Sequence, residues 1–122
     1  MSLNMKMDLM FQHVQKDLSN LKGVKKSLVA SQDGYILSKP AESRLELFAL
    51  TSAAMLRTAD AASSKIGKNY SKHVVIDYPD ERLIAVRAGP KAIVAVLTGT
   101  NTGLDPIMTE LDKAAEKVRG II

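Results

Sequence analysis

Three apolar runs, HVVIDY, LIAVRA and AIVAVLT, follow one another over residues 73–98, separated only by PDER and GPK. That spacing constrains the fold more than any other feature of the chain. A parallel connection needs about a dozen residues or more to cross back over a sheet, so turns this short force an antiparallel meander. Pro79-Asp80 and Gly89-Pro90 supply the turn chemistry, proline by fixing φ and glycine by admitting conformations other residues avoid. The run from Ala92 to Leu97 is apolar without alternation, the pattern of a central strand covered on both faces. The fold must therefore supply one apolar layer above this strand and another below it.

The flanking segments can supply them. Met7, Met10, Phe11, Val14, Leu18 and Leu21 recur at helical spacing, and Gly23 reads as the terminator. Val24, Leu28, Val29 and Ala30 then read as a strand, Asp33-Gly34 as a hairpin turn and Tyr35 to Leu37 as its return, ended by Pro40. A long helix is expected from Arg44 to Ile66, with Ser43 or a neighbour as its N-cap. A last helix opens near Leu104, tolerates Pro106 in its first turn, and places Ile107, Met108, Leu111, Ala115 and Val118 on one face. The expected order is α-β-β-α-β-β-β-α, a five-stranded antiparallel sheet in a three-layer α/β/α domain of the α+β class. One domain is expected over 1–122, with 1–4 a cloning scar or disordered lead-in and Met5 or Met7 the native start.

The long helix carries more apolar surface than one core needs. One stripe gathers Leu45, Phe48, Ala49, Ser52, Met55, Leu56, Ala59, Ser63 and Ile66. Glu46, Arg57, Asp60 and Ser64 crowd into a narrow polar strip that includes Ala53. The remaining flank is Leu47, Leu50, Thr51, Ala54, Thr58, Ala61 and Ala62, where a solvated face would show Glu and Lys. Either the helix is buried on two sides within one domain, or the second flank meets another chain; small residues permit close helix approach in both cases. The strand HVVIDY favours the second reading. A sheet edge is normally protected by a central charge, a proline or a bulge, whereas Val74, Val75 and Ile76 leave its middle unguarded.

Composition excludes several classes. The chain has no cysteine, so disulfides, thiolate nucleophiles and cysteine metal sites are absent; a reducing cytoplasm is the expected location. A net charge of +4 is too small to argue for nucleic acid, and the five aromatics are scattered rather than interleaved with a basic stripe. Arg57, Lys65, Lys68, Tyr70 and Lys72 do gather near the end of the long helix, where its dipole favours cations. No uncharged run approaches the ~20 residues needed to span a bilayer, so no membrane insertion is expected. His13 and His73 fall on different elements, and no metal or cofactor is expected. Thr98–Gly103, TGTNTG, lacks the Gly-Lys-Ser/Thr of a phosphate loop, and no Gly-x-Ser-x-Gly elbow is present, so no catalytic residue is assigned.

Three patterns carry a resemblance: SLVASQDGYIL (Ser27 to Leu37), the Ala/Leu-rich helix from Arg44 to Ile66, and TGTNTGLDPIMTELDKAAEKV (Thr98 to Val118), with Asn101, Gly103 and Leu104 matching an Asn-x-Gly-Leu motif. With the element order they resemble the Roadblock/dynein light-chain family in its single-domain, MglB-like form; Pro106 departs from the usual pattern. The resemblance implies a non-enzymatic dimer whose long helices pack antiparallel and whose third strands pair into one continuous sheet. On this chain it implies a helix interface of Leu47, Leu50, Thr51, Ala54, Thr58 and Ala61, and a pairing strand of Lys72, His73, Val74, Val75, Ile76 and Asp77. It further implies a regulator or scaffold for a small Ras-like GTPase, which would face Glu46, Arg57, Asp60 and Ser64. The competing readings are an adaptor subunit of a motor-like or membrane-associated complex and a small-molecule sensor.

Overall fold

The computed structural model describes residues 3–38 and 45–122; Pro40 and the expected N-cap at Ser43 lie outside them. The elements are α1 (Leu3–Ser19), β1 (Val24–Ser31), α2 (Leu45–Ser64), β2 (His73–Asp77), β3 (Glu81–Ala88), β4 (Ala92–Gly99) and α3 (Leu104–Ile121). The short turns do give antiparallel pairs of β2 with β3 and of β3 with β4, while β1 returns to the far side of β4. The sheet order is β1-β4-β3-β2.

β4 is indeed covered on both faces. Val94 and Val96 join Val29, Ile84 and Val86 against Phe11, Val14 and Leu18 of α1 and Ile107, Leu111 and Val118 of α3. Ile93 and Ala95 face the other way, with Leu28, Ala30 and Ala85, onto Ala49, Ala53 and Leu56 of α2. The α2 side is rich in alanine on both partners, which lets the helix settle close to the sheet. A single helix thus covers one face and two helices the other, the three layers expected.

The expected fifth strand is not formed. Tyr35–Leu37 folds back along β1 but makes one isolated bridge, Ala30 to Ile36. The reason lies at Ser38. Its buried hydroxyl accepts the Val29 N–H at 3.0 Å, standing where a ladder carbonyl would be, and both Leu37 N–H and Ser38 N–H donate to Val29 O. A side chain has replaced the backbone, so the ladder ends after one rung. The element order is therefore α-β-α-β-β-β-α on four strands.

Smaller differences follow from caps. α1 stops at Ser19, four residues before Gly23. α2 ends in a Schellman arrangement: Gly67 at φ +78° donates to Ser64 O while Lys68 N–H donates to Ser63 O. Ile66, expected in the core stripe, lies within that closing turn, past the end of α2, and is 75% exposed. Gly34 is held by a second constraint, because a Cβ there would meet Leu50 Cα at 3.1 Å, so the 32–37 loop lies against the start of α2. α3 begins at Leu104 with Gly103 as its N-cap, and Pro106 sits in the first turn as expected.

Ser38→Ala removes the partner of a buried N–H, and should cost about 1–2 kcal/mol of unfolding free energy in urea with an unchanged m-value. Unaltered stability would show that Ser38 does not cap the β1 edge.

Candidate interaction surface

α2 buries Leu45, Ala49, Ser52, Ala53 and Leu56. Ala53, expected in the polar strip, is 1% exposed, so the buried arc is rotated toward it by about 30° relative to the stripe read from sequence. That rotation draws Asp60 inward and turns the second flank squarely to the outside. Leu47 is 71% exposed and Leu50 48%, and Thr51, Ala54, Thr58, Ala61 and Ala62 are exposed with them. Apart from Leu50, which the 32–37 loop partly covers, this apolar or small-residue face of the helix is left uncovered among the described residues.

The second set of candidate residues lies on β2, at the end of the sheet order. Arg87 N–H donates to Lys72 O, and Tyr78 N–H donates to Glu81 O. With His73 opposite Val86, this phase puts Lys72, Val74 and Ile76 in the hydrogen-bonded pairs with β3. The N–H and C=O of His73, Val75 and Asp77 consequently point away from the sheet. Val74, Val75 and Ile76 are half-buried and His73 and Asp77 exposed. No strand pairs with this edge among the described residues, whereas the opposite edge at β1 is blunted by residues 35–38.

The polar candidates divide. Glu46, Arg57 and Ser64 are exposed, and Arg57 Nη1 reaches Gln32 O at 3.3 Å. Asp60 is occupied internally. Its carboxylate accepts Arg87 Nη2 at 2.6 Å and the Ser71 N–H at 2.6 Å, while Arg87 Nε donates to Ser71 O at 2.9 Å. Both side chains of the ion pair are about four-fifths buried, at 17% and 24% exposure, and Arg87 also lies 5.4 Å from the Tyr70 ring. This network ties the end of α2 to the start of β2, the two elements that carry the apolar face and the open edge. Sequence reasoning missed Arg87. Its signal was an arginine inside an otherwise apolar strand, which needs a carboxylate from another element.

The remaining candidates stay apart. His13 lies on α1, 3.7 Å from Asp17, and His73 on β2. Residues 99–103 line an open groove with Leu21, Val24 and Ile107 at one end of the sheet, not a cavity between sheet and α2. Among the described residues no His/Asp/Glu group could hold a metal ion, and no helix is long and apolar enough to cross a membrane.

A four-stranded antiparallel sheet between one helix and two, with an uncovered α2 and an open edge beside it, defines a class of small α+β domain built around an external helix–strand face. A Roadblock/LC7 domain model matches residues 10–98, and the chain belongs to that family. It is similar in fold to "MglB with tetrameric arrangement" (TM-score 0.82, 16% identity, 99% of this chain and 91% of the other). The gliding protein MglB of Thermus thermophilus aligns at TM-score 0.81 and 16% identity, over 99% and 92%. A Roadblock/LC7 domain from Streptomyces avermitilis aligns at 0.78 and 17%, over 93% and 94%. No curated protein matches the chain in sequence.

Removing Arg87 leaves Asp60 without its cation, so Arg87→Met should cost about 2 kcal/mol in urea unfolding. In the double variant with Asp60→Asn the loss should fall short of the sum by roughly 1 kcal/mol. Additive losses would mean the two side chains are not coupled.

Proposed function

We propose that the chain is a non-enzymatic dimeric regulator or scaffold that binds a small Ras-like GTPase and modulates its nucleotide cycle. The observation that carries the reading is the uncovered face of α2 beside the open edge of β2, in a chain of the Roadblock/LC7 family. The face has a polarity of size: Leu47 and Leu50 lie in its first half, and Ala54, Thr58, Ala61 and Ala62 in its second. An antiparallel pairing about Ala54 sets each large half on the small half of the copy, which a parallel pairing does not. In the same dimer, His73, Val75 and Asp77 of the two chains exchange the backbone hydrogen bonds that β2 leaves open.

A GTPase would read the surface flanking the helix pair, through Glu46, Arg57 and Ser64. Asp60 contributes there chiefly by holding the loop. Regulation would follow from a difference in affinity for the GTP-bound and GDP-bound states, which shifts the population of switch conformations.

Ala54→Arg places a charge at the centre of the helix pair and should give the mass of one chain in light scattering, with unchanged circular dichroism. Val75→Pro is the edge counterpart. Its N–H is not used within the sheet, so the variant should keep its fold yet lose the dimer, whereas Val74→Pro should unfold it. If both Ala54→Arg and Val75→Pro stay dimeric, the interface lies elsewhere. For the partner, capture from a source lysate loaded with GDP or with a non-hydrolysable GTP analogue should retain a small GTPase in one state only. Retention of a large complex in both states would favour an adaptor and overturn the GTPase reading.

A further inference from the structure

The loop between α2 and β2 is cationic, and neither the dimer nor the GTPase reading uses its apex. From Ala61 to Ile76 the chain contains Lys65, Lys68, Lys72 and His73 and no acidic residue. The nearest carboxylate on the preceding helix, Asp60, is consumed by Arg87 and Ser71. Lys65, Lys68 and Lys72 are exposed and have no ion-pair partner among the described residues, unlike Lys25, Lys113 and Lys117. The β3–β4 turn adds Lys91 at the same end of the sheet, since Arg87 N–H donates to Lys72 O and Lys91 follows four residues on. The Asp33 turn, joined to it through Gln32 N–H and Lys91 O, brings a carboxylate to this end, and α3 brings Glu116, which is paired with Arg119 beside Gly89.

Two apolar side chains stand among the cations. Ile66 is 75% exposed and Tyr70 69%. Neither is loose: Ile66 sits in the Schellman turn, and the Tyr70 ring lies against Arg87. At the apex a Cβ on Gly67 would meet nothing within 4 Å. The loop is therefore a held projection with apolar tips and lysine flanks. A shaped protein partner would have to offer a matching hollow, and bidentate recognition of carboxylates or phosphates calls for arginine forks. A fluid interface takes up projecting isoleucine and tyrosine, while its anionic headgroups attract lysines as point charges.

We propose that the Lys65–Lys72 loop is a peripheral docking site for an anionic lipid bilayer, with Ile66 and Tyr70 entering the headgroup region and Lys65, Lys68, Lys72 and Lys91 above it. The site is independent of the GTPase reading. It tethers the domain to a membrane surface without a spanning segment.

Sedimentation with vesicles of phosphatidylcholine, with and without phosphatidylserine, tests it. The protein should partition onto the anionic vesicles, be released by high salt, and ignore pure phosphatidylcholine. Lys65→Gln/Lys68→Gln should lower the partition coefficient about 25-fold, roughly fivefold for each lysine. Lys16→Gln/Lys22→Gln, the same charge change away from the loop, should leave it within about twofold of the parent, allowing only screened long-range attraction. The chain has no tryptophan, so Ile66→Trp gives an unmixed fluorescence reporter that should shift to the blue on anionic vesicles. Absent binding, an unshifted Ile66→Trp spectrum, or equal losses in the two lysine pairs would overturn the proposal. Tighter binding of the loop to a single-stranded oligonucleotide than to vesicles would also overturn it, in favour of nucleic acid.

Discussion

The requirement that β4 be buried on both faces organises the whole domain. Val94 and Val96 on one side and Ile93 and Ala95 on the other have no exposure to spare, so neither face of the sheet can be left to water. Among the described residues two helices cover the first face, and α2 is the single helix on the second. A lone helix can bury only one of its own sides against a sheet, and α2 does so through Ala49, Ala53 and Leu56. Its opposite side, from Leu47 to Ala62, is apolar or small, and among the described residues only the 32–37 loop touches it, at Leu50. The unusual surface of this protein is thus a consequence of a three-layer core with a single helix on one side.

The Asp60–Arg87 pair links that core to that surface. It is mostly buried, joins a helix to a strand, and fixes the backbone at Ser71, two residues before β2 begins. Partly buried ion pairs add little net stability compared with apolar contacts, but losing one member is costly. Its contribution is better understood as registration: the open edge of β2 and the outer face of α2 are held in one fixed relation, and the loop between them is held out from the surface.

Much of this is readable from the sequence, for physical reasons that differ by segment. The meander follows from turns too short for anything else, and the uncovered face from the absence of Glu and Lys where a solvated helix would have them. Tyr35–Leu37 departs from expectation because the sequence shows strand-forming residues after an Asp-Gly turn, and only the fold shows the Ser38 hydroxyl taking a backbone acceptor's place. Ala53 departs from it because alanine tolerates either side of a helix. The rotation that buries it against the sheet also carries Asp60 to Arg87, 27 positions away. Local periodicity cannot register a pairing at that separation. Family resemblance supplies the expectation of a partner chain, and the geometry supplies a reason for it.

In the proposed dimer the outward backbone groups of β2 are paired with a second copy. Residue-resolved hydrogen exchange measures this without altering a side chain. At high protein concentration the amides of His73, Val75 and Asp77 should exchange as slowly as those of Val74 and Ile76. On dilution through the dissociation range the first three should lose protection while the other two keep it. Free exchange of the three outward amides at every concentration, with the rest of the sheet protected, would contradict the account.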